Sequence, residues 1–220
     1  ATFSNLRLIE NISPKFLGGG MNAHGAVSIR NCEFIANESF EAGGLALSSA
    51  HGAMIIDSKF FDNIAESGAG LYLSFSDNVS IDNSEFRDNL AKDTIYDGLN
   101  THPLNKGGGA YIRSSNGLLL QNSVFEGNQA HDGGGIYITS ANDFDPSQSS
   151  EELNLTNCLF YGNQSLSDQY SNGGGIYFFY GTNHQINNCT FYENSSTGQG
   201  QSIFAELSWT PLSISITNSI

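Results

Sequence analysis

The sequence predicts an all-β chain wound as a single-stranded parallel β-helix, a β-solenoid of about seven coils with three short strands in each. Three observations lead there. The apolar residue of a Phe-x-x-Asn element recurs at Leu8, Phe34, Phe60, Phe86, Phe125, Phe160 and Phe191, at intervals of 26, 26, 26, 39, 35 and 31 residues. Between these markers the apolar positions alternate at period two, the signature of strand rather than helix. Glycine runs and asparagines punctuate each period at fixed places.

The strands follow in order. One comes directly after the glycines, as Leu45-x-Leu47, Leu71-x-Leu73, Ile136-x-Ile138 and Ile176-x-Phe178. A second alternating run is Leu118-x-Leu120, Leu153-x-Leu155 and Ile214-x-Ile216, and a third carries the marker, as in Cys158-x-Phe160 and Cys189-x-Phe191. A period of 26 residues is too short for a strand–helix–strand unit, which needs about 30 or more. No segment carries a helical apolar stripe.

The turns have their own chemistry. Gly43-Gly44, Gly68-x-Gly70, Gly107-Gly108-Gly109, Gly133-Gly134-Gly135 and Gly173-Gly174-Gly175 precede the first strand, where a corner calls for positive φ and no Cβ. Asn11, Asn37, Asn63, Asn89, Asn128, Asn163 and Asn194 recur three residues after the markers. An asparagine tolerates the left-handed region and stacks its amide on the same residue one coil away, so these are assigned to a structural ladder.

Paired Phe-x-x-Asn and Gly-Gly-x-Ile/Leu/Val elements resemble the repeats of the chlamydial polymorphic outer membrane proteins and related right-handed parallel β-helix repeats. The resemblance covers Leu8 to Ile203 and departs in one detail, Gly-Gly-Gly-Ile, Gly-Gly-Gly-Ala or Gly-Ala-Gly-Leu standing where that family has Gly-Gly-Ala-Ile. It implies right-handed coiling. It says little of function, since such coils carry adhesins, autotransporter passengers, surface proteins and polysaccharide-degrading enzymes.

A continuous repeat argues for one elongated domain over residues 1–220, a rod on the order of 35 Å long at the usual strand spacing. Few residues are charged, and 22 acidic against 8 basic ones give a formal charge of −14, which disfavours nucleic acid and leaves calcium or a cationic surface as better partners. No run approaches the ~18 apolar residues of a membrane span. The start at Ala1, without a signal peptide, suits a processed secreted protein or a fragment.

Insertions lengthen three intervals, near residues 94–106, 142–151 and 165–172. Loops added to a rigid scaffold are where recognition is expected. Both ends of the sequence fall inside a coil, which reads either as an excerpt from a longer coil or as a subunit that stacks end to end on its neighbours.

The candidate chemistry is sparse. Asp143, Asp145, Glu151 and Glu152 offer oxygens for calcium without a recognisable loop pattern. Asp62 and Asp88 align on adjacent coils, and Lys106 and Arg113 are the basic residues with a prospect of meeting. The five histidines read as exposed turn residues. Tyr72, Tyr111, Tyr137 and Tyr177 follow the first inward residue of their strands and form an outward row, suited to sugar rings or a neighbouring surface unless loops cover it. Cys32, Cys158 and Cys189 share a slot that Ser58, Ser84 and Ser123 fill elsewhere, and Cys158 and Cys189 on neighbouring coils are candidates for a disulfide. Of the Asn-x-Ser/Thr sequons, Asn78, Asn154 and Asn188 are the carriers expected to be accessible, the ladder positions being buried.

The expectation is a non-enzymatic, extracellular or cell-surface β-solenoid, structural, adhesive or fibre-forming, needing no cofactor beyond a candidate calcium ion. The alternative is a carbohydrate-active enzyme, a lyase or glycosidase, or a sugar-binding module on the same fold.

Overall fold

A computed structural model describes residues 1–92, 105–139, 152–166, 171–179, 181–206 and 212–220. Among these residues every named strand pairs in parallel with its counterpart one coil away, and the strands stack into four sheets that run the length of the body. The first sheet begins with Thr2–Ser4 and ends with Ile214–Thr217. The second contains the marker strands, from Arg7–Ile9 to Thr190–Tyr192. The fourth contains the strands that follow the glycines, from Met21–His24 to Ile203–Ala205.

The third sheet was not expected. It consists of pieces such as Ile64–Ala65, Leu90–Ala91, Gln129–Ala130 and Gln164–Ser165, so a coil has four strands rather than three. These pieces have two residues each and one small inward side chain, too short for alternation to be visible in the sequence; the first two strands of the sheet, Ile12–Leu17 and Glu38–Glu41, are longer.

Register is unbroken across the insertions. Phe60 pairs with Phe86, Phe86 with Phe125 and Phe125 with Phe160, although the intervals are 26, 39 and 35 residues. The rings stack with centroids 4.5–5.0 Å apart and planes within 9°, from Phe34 through Phe191. Around them pack Ile29, Ile55, Ile81, Leu120 and Leu155 from the first sheet and Leu45, Leu71 and Ile136 from the fourth, all fully buried.

The asparagine ladder lies at the corner after the marker strand. Asn37, Asn63, Asn89, Asn128 and Asn163 are inaccessible to solvent, whereas Asn11, in the outermost coil, is exposed rather than buried. In Asn89 the Nδ2 group donates to Asn128 Oδ1 at 2.9 Å and to Phe60 O at 2.8 Å, and its Oδ1 accepts from the side chain and the backbone N–H of Asn63. A buried amide has four hydrogen-bonding places, and here all four are filled. The left-handed conformation falls elsewhere than expected, on the residue before each ladder asparagine: Glu10, Ala36, Asp62, Asp88, Gly127, Gly162 and Glu193 have φ between 52° and 63°. The asparagines serve as stacking amides while the preceding residues make the bend.

The glycine runs divide the two roles expected of them. Gly107 takes φ +63°, and a Cβ on Gly108 would meet the carbonyl oxygens of Gln129 and Gly134 at 2.5 and 2.6 Å. The first glycine bends the chain and the second lets adjacent backbones close up.

Candidate functional site

The predicted tyrosine row is in register. Tyr72 pairs with Tyr111, Tyr111 with Tyr137 and Tyr137 with Tyr177 on the outer face of the fourth sheet. It is not an exposed surface, because the four side chains retain only 2–8% of their accessibility. The rings pack edge to face, with centroids 5.2, 5.6 and 4.8 Å apart. Together with Ala42 and Ala46 they make a second apolar cluster outside the coil, with Leu17, Phe179 and Phe204 packed on it. Edge-to-face pairing satisfies the ring quadrupoles and removes the ring faces that a sugar would need.

Charged groups border this cluster. Glu41, Ser67, Lys106 and Asp132 succeed one another through parallel bridges at the corner before the fourth sheet. Lys106 Nζ sits 4.8 Å from the centre of the Tyr137 ring, while Arg113 Nη1 donates to Tyr72 Oη at 3.3 Å. Lys106 and Arg113 thus engage different rings, two rungs apart. Burial raises the pKa of the Glu41 carboxyl; nearby Arg113 opposes the shift and Glu66 adds to it. Burial and the Glu41 charge push the Tyr72 phenol up as well. A half-buried carboxyl beside a guanidinium, a phenol and a second carboxylate is a grouping with acid–base potential.

The outer face of the second sheet carries aromatics that sequence reasoning passed over. The residue after each marker forms a column, Ile9, Ile35, Phe61, Arg87, Glu126, Tyr161 and Tyr192, in parallel register. Tyr161 and Tyr192 stack at 5.7 Å with planes 9° apart, and Tyr192 is 58% exposed. Hydrogen bonding to the Glu193 carboxylate raises both phenol pKa values. Arg87 reaches Glu85 and Glu126 at 3.0 Å each and lies 5.9 Å from the Phe61 ring. Alternation around the marker was the signal: an inward Phe implies that the next residue points out.

A family model for the right handed beta helix region matches residues 17–208, most of the chain. The chain belongs to the right-handed β-helix family. No curated protein and no solved structure matches it.

Along this β-helix the serine and cysteine slot forms a second buried ladder. The N–H of Cys32 donates to Ser58 Oγ, that of Ser58 to Ser84 Oγ and that of Ser84 to Ser123 Oγ, at 3.1–3.2 Å. Each hydroxyl donates a hydrogen bond to the carbonyl two residues back, as Ser84 does to Asp82 O at 2.9 Å. The thiols of Cys158 and Cys189 make the same contact to Thr156 and Asn187, and all three cysteines are free rather than bridged.

Other expected sites are placed as follows. Of the calcium candidates, Asp143, Asp145 and Glu151 lie outside the described residues; Glu152 is exposed, its N–H bonded to Thr182 O at 3.0 Å. Among the described residues no group of three or more His, Cys, Asp or Glu is placed to hold a metal ion. The expected loops near 94–106, 142–151 and 165–172 fall mostly outside the described residues. Asp62 and Asp88 face solvent at their left-handed corners. His24 and His51 are exposed as expected, but His184 is buried in a strand, its ring 4.8 Å from Phe178 and its Nδ1 3.3 Å from the N–H of Leu153. His131 also differs, half-buried with Nδ1 3.2 Å from Asp132 Oδ2. Among the sequons Asn78 and Asn188 are exposed and Asn154 is half-buried.

Proposed function

We propose that this β-helix is a rigid, non-enzymatic scaffold of an extracellular or cell-surface protein, presenting its outer faces to a carbohydrate or cell-surface partner or to neighbouring β-solenoid segments. The observation that carries the reading is how the unusual side chains are used. The ladder asparagines spend their amides on neighbouring coils, and the fourth-sheet tyrosines spend their faces on one another. Among the described residues, a stacked aromatic surface left for contact is the flat second-sheet column ending in Tyr161 and Tyr192. The likeness of the repeats to chlamydial outer membrane proteins is in keeping with a surface location.

The test is a binding screen of the purified chain on immobilised acidic and neutral polysaccharides and on cells, with reducing-end and unsaturated-product assays run in parallel. Retention without turnover, lost in Tyr192→Ala, supports the scaffold; steady release of product overturns it. Calcium enters this reading only as a ligand of the acidic stretch from Asp143 to Glu152, and chelation during the same screen tests that.

A carbohydrate-active enzyme is the second reading, favoured by one grouping: Glu41 with its raised pKa beside Arg113, Tyr72 and Glu66. On that reading any product release disappears in Glu41→Gln while the fold persists.

A further inference from the structure

Cys158 and Cys189 occupy the same slot on adjacent rungs. Leu159 pairs with Thr190 in parallel register, and the N–H of Thr190 donates to Cys158 O at 2.9 Å, which sets the two cysteines side by side. Parallel neighbours stand about 4.8 Å apart, within the ~4.4–6.8 Å between Cα atoms that a disulfide spans. The side chains are buried, at 2% and 1% exposure, so neither is free to turn away into solvent. Elsewhere in this column each cysteine stands beside a serine or, at Cys32, also Leu6; here thiol faces thiol. Cys32 has Ser58 as its neighbour and is four rungs from Cys158.

We propose that Cys158 and Cys189 form a modification site that closes to an inter-coil disulfide by exchange with a low-molecular-weight disulfide. Cys189 is the attacking group. Hydrogen bonding from the Cys158 thiol, helped by backbone N–H groups and opposed by burial, lowers its pKa to about 7, while the same contact pushes Cys158 up. The Cys189 thiolate attacks one sulfur of the reagent, whose S–S bond breaks and releases a first thiolate. Cys158 then gives up its proton and attacks the Cys189 sulfur of the mixed disulfide, expelling the second thiolate. Two protein thiols are oxidised to one disulfide. The reagent takes the two electrons, and its two thiolates take up the released protons. Ser219 and Ile220 bond to the backbone of Cys189, so exchange in the folded chain requires that contact to open, whereas a refolding chain meets no such barrier.

The bridge joins residues 31 apart in sequence and restricts the unfolded chain accordingly. The chain, reduced and unfolded, is refolded with oxidised and reduced glutathione, then denatured, alkylated with N-ethylmaleimide and mapped by mass spectrometry. The expected result is a single linked peptide pair containing Cys158 and Cys189, with Cys32 alkylated, and a thermal midpoint higher by roughly 10 °C than that of the dithiothreitol-treated sample. Cys158→Ser and Cys189→Ser place in the slot the residue its other rungs already hold, so both variants fold and both lose the redox-dependent shift. Three alkylated cysteines in the folded oxidised chain, a bridge involving Cys32, or a bridge that leaves the midpoint unchanged overturns the proposal.

Discussion

Asn63 directs two donors at one oxygen of Asn89: its side-chain Nδ2 at 2.9 Å and its own backbone N–H at 3.1 Å. That shared acceptor couples side-chain stacking to backbone register, so each coil is aligned on the next by a group that is neither in a strand nor exposed. Asn89→Ala removes the acceptor for both donors and uncovers Phe60 O as well. Unsatisfied buried groups cost about 1–3 kcal/mol apiece, and the variant is expected to lose on the order of 3–5 kcal/mol in urea denaturation. Asn11→Ala, at the exposed end of the ladder, is expected to lose less than about 1.5 kcal/mol.

The phenylalanine stack sets the second expectation. Phe86 is fully buried, with Phe60 and Phe125 at 4.6 and 4.5 Å. Phe86→Ala opens a cavity between two rings that cannot collapse while the ladder holds the coils apart, and about 3–5 kcal/mol of stability is lost by the same measurement. Tyr192→Ala, on the exposed face, changes stability by under about 1 kcal/mol.

Glycine positions separate space from conformation. Gly108→Ala drives a methyl group into two backbone oxygens and is expected to abolish the cooperative unfolding transition. At Gly162, φ is +62° and no atom lies within 4 Å of an added Cβ. Gly162→Ala therefore bears only the left-handed penalty, roughly 1–2 kcal/mol. Circular dichroism melts of the two variants distinguish these outcomes.

The acid limb of the stability profile has a sign that the structure fixes. Desolvation raises the pKa of Asp88, the charges of Asp62 and Glu126 raise it further, and Arg87 opposes them. The folded chain thus holds this proton more tightly than the unfolded one. The contribution of Asp88 is favourable at low pH and is lost as pH rises from the ordinary carboxylate range through the raised folded value. Asp88→Asn keeps a residue that tolerates the left-handed corner, where φ is 52°. The variant is expected to be more stable than the parent at neutral pH, with the advantage vanishing below about pH 4, as followed by urea midpoints across pH.

The coil was legible because its inward positions are large and regularly spaced: a Phe at every marker but Leu8, and aliphatics two apart after the glycine runs, leave no helical alternative. The third sheet was hidden because Ala65 and Ala91 are small and flanked by corners, so nothing in their neighbourhood alternates. The bend was assigned to the ladder asparagines because asparagine is the usual left-handed residue. The structure gives it to Asp62, Ala36 and their equivalents, whose varied types carry no common signal. For the candidate site, the sequence left open whether the outward row of Tyr72, Tyr111, Tyr137 and Tyr177 is exposed or covered, and the structure shows it covered, since alternation reports which side of a strand a residue leaves and not what lies beyond it. The charged border of Glu41, Lys106 and Arg113 draws on two coils, Glu41 standing two rungs from the coil that carries both basic residues, a proximity that only the register of the sheets defines.

Inserted segments leave the rungs undisturbed: a coil of 39 residues stacks on one of 26 with the same phenylalanine spacing. Variation in length leaves the described rungs and their stacked rings as they are. Such a body can alter its outline by addition while its axis, pitch and diameter stay constant, so a foreign peptide spliced between Lys92 and Asn105 should be displayed at a fixed height along an unaltered rod.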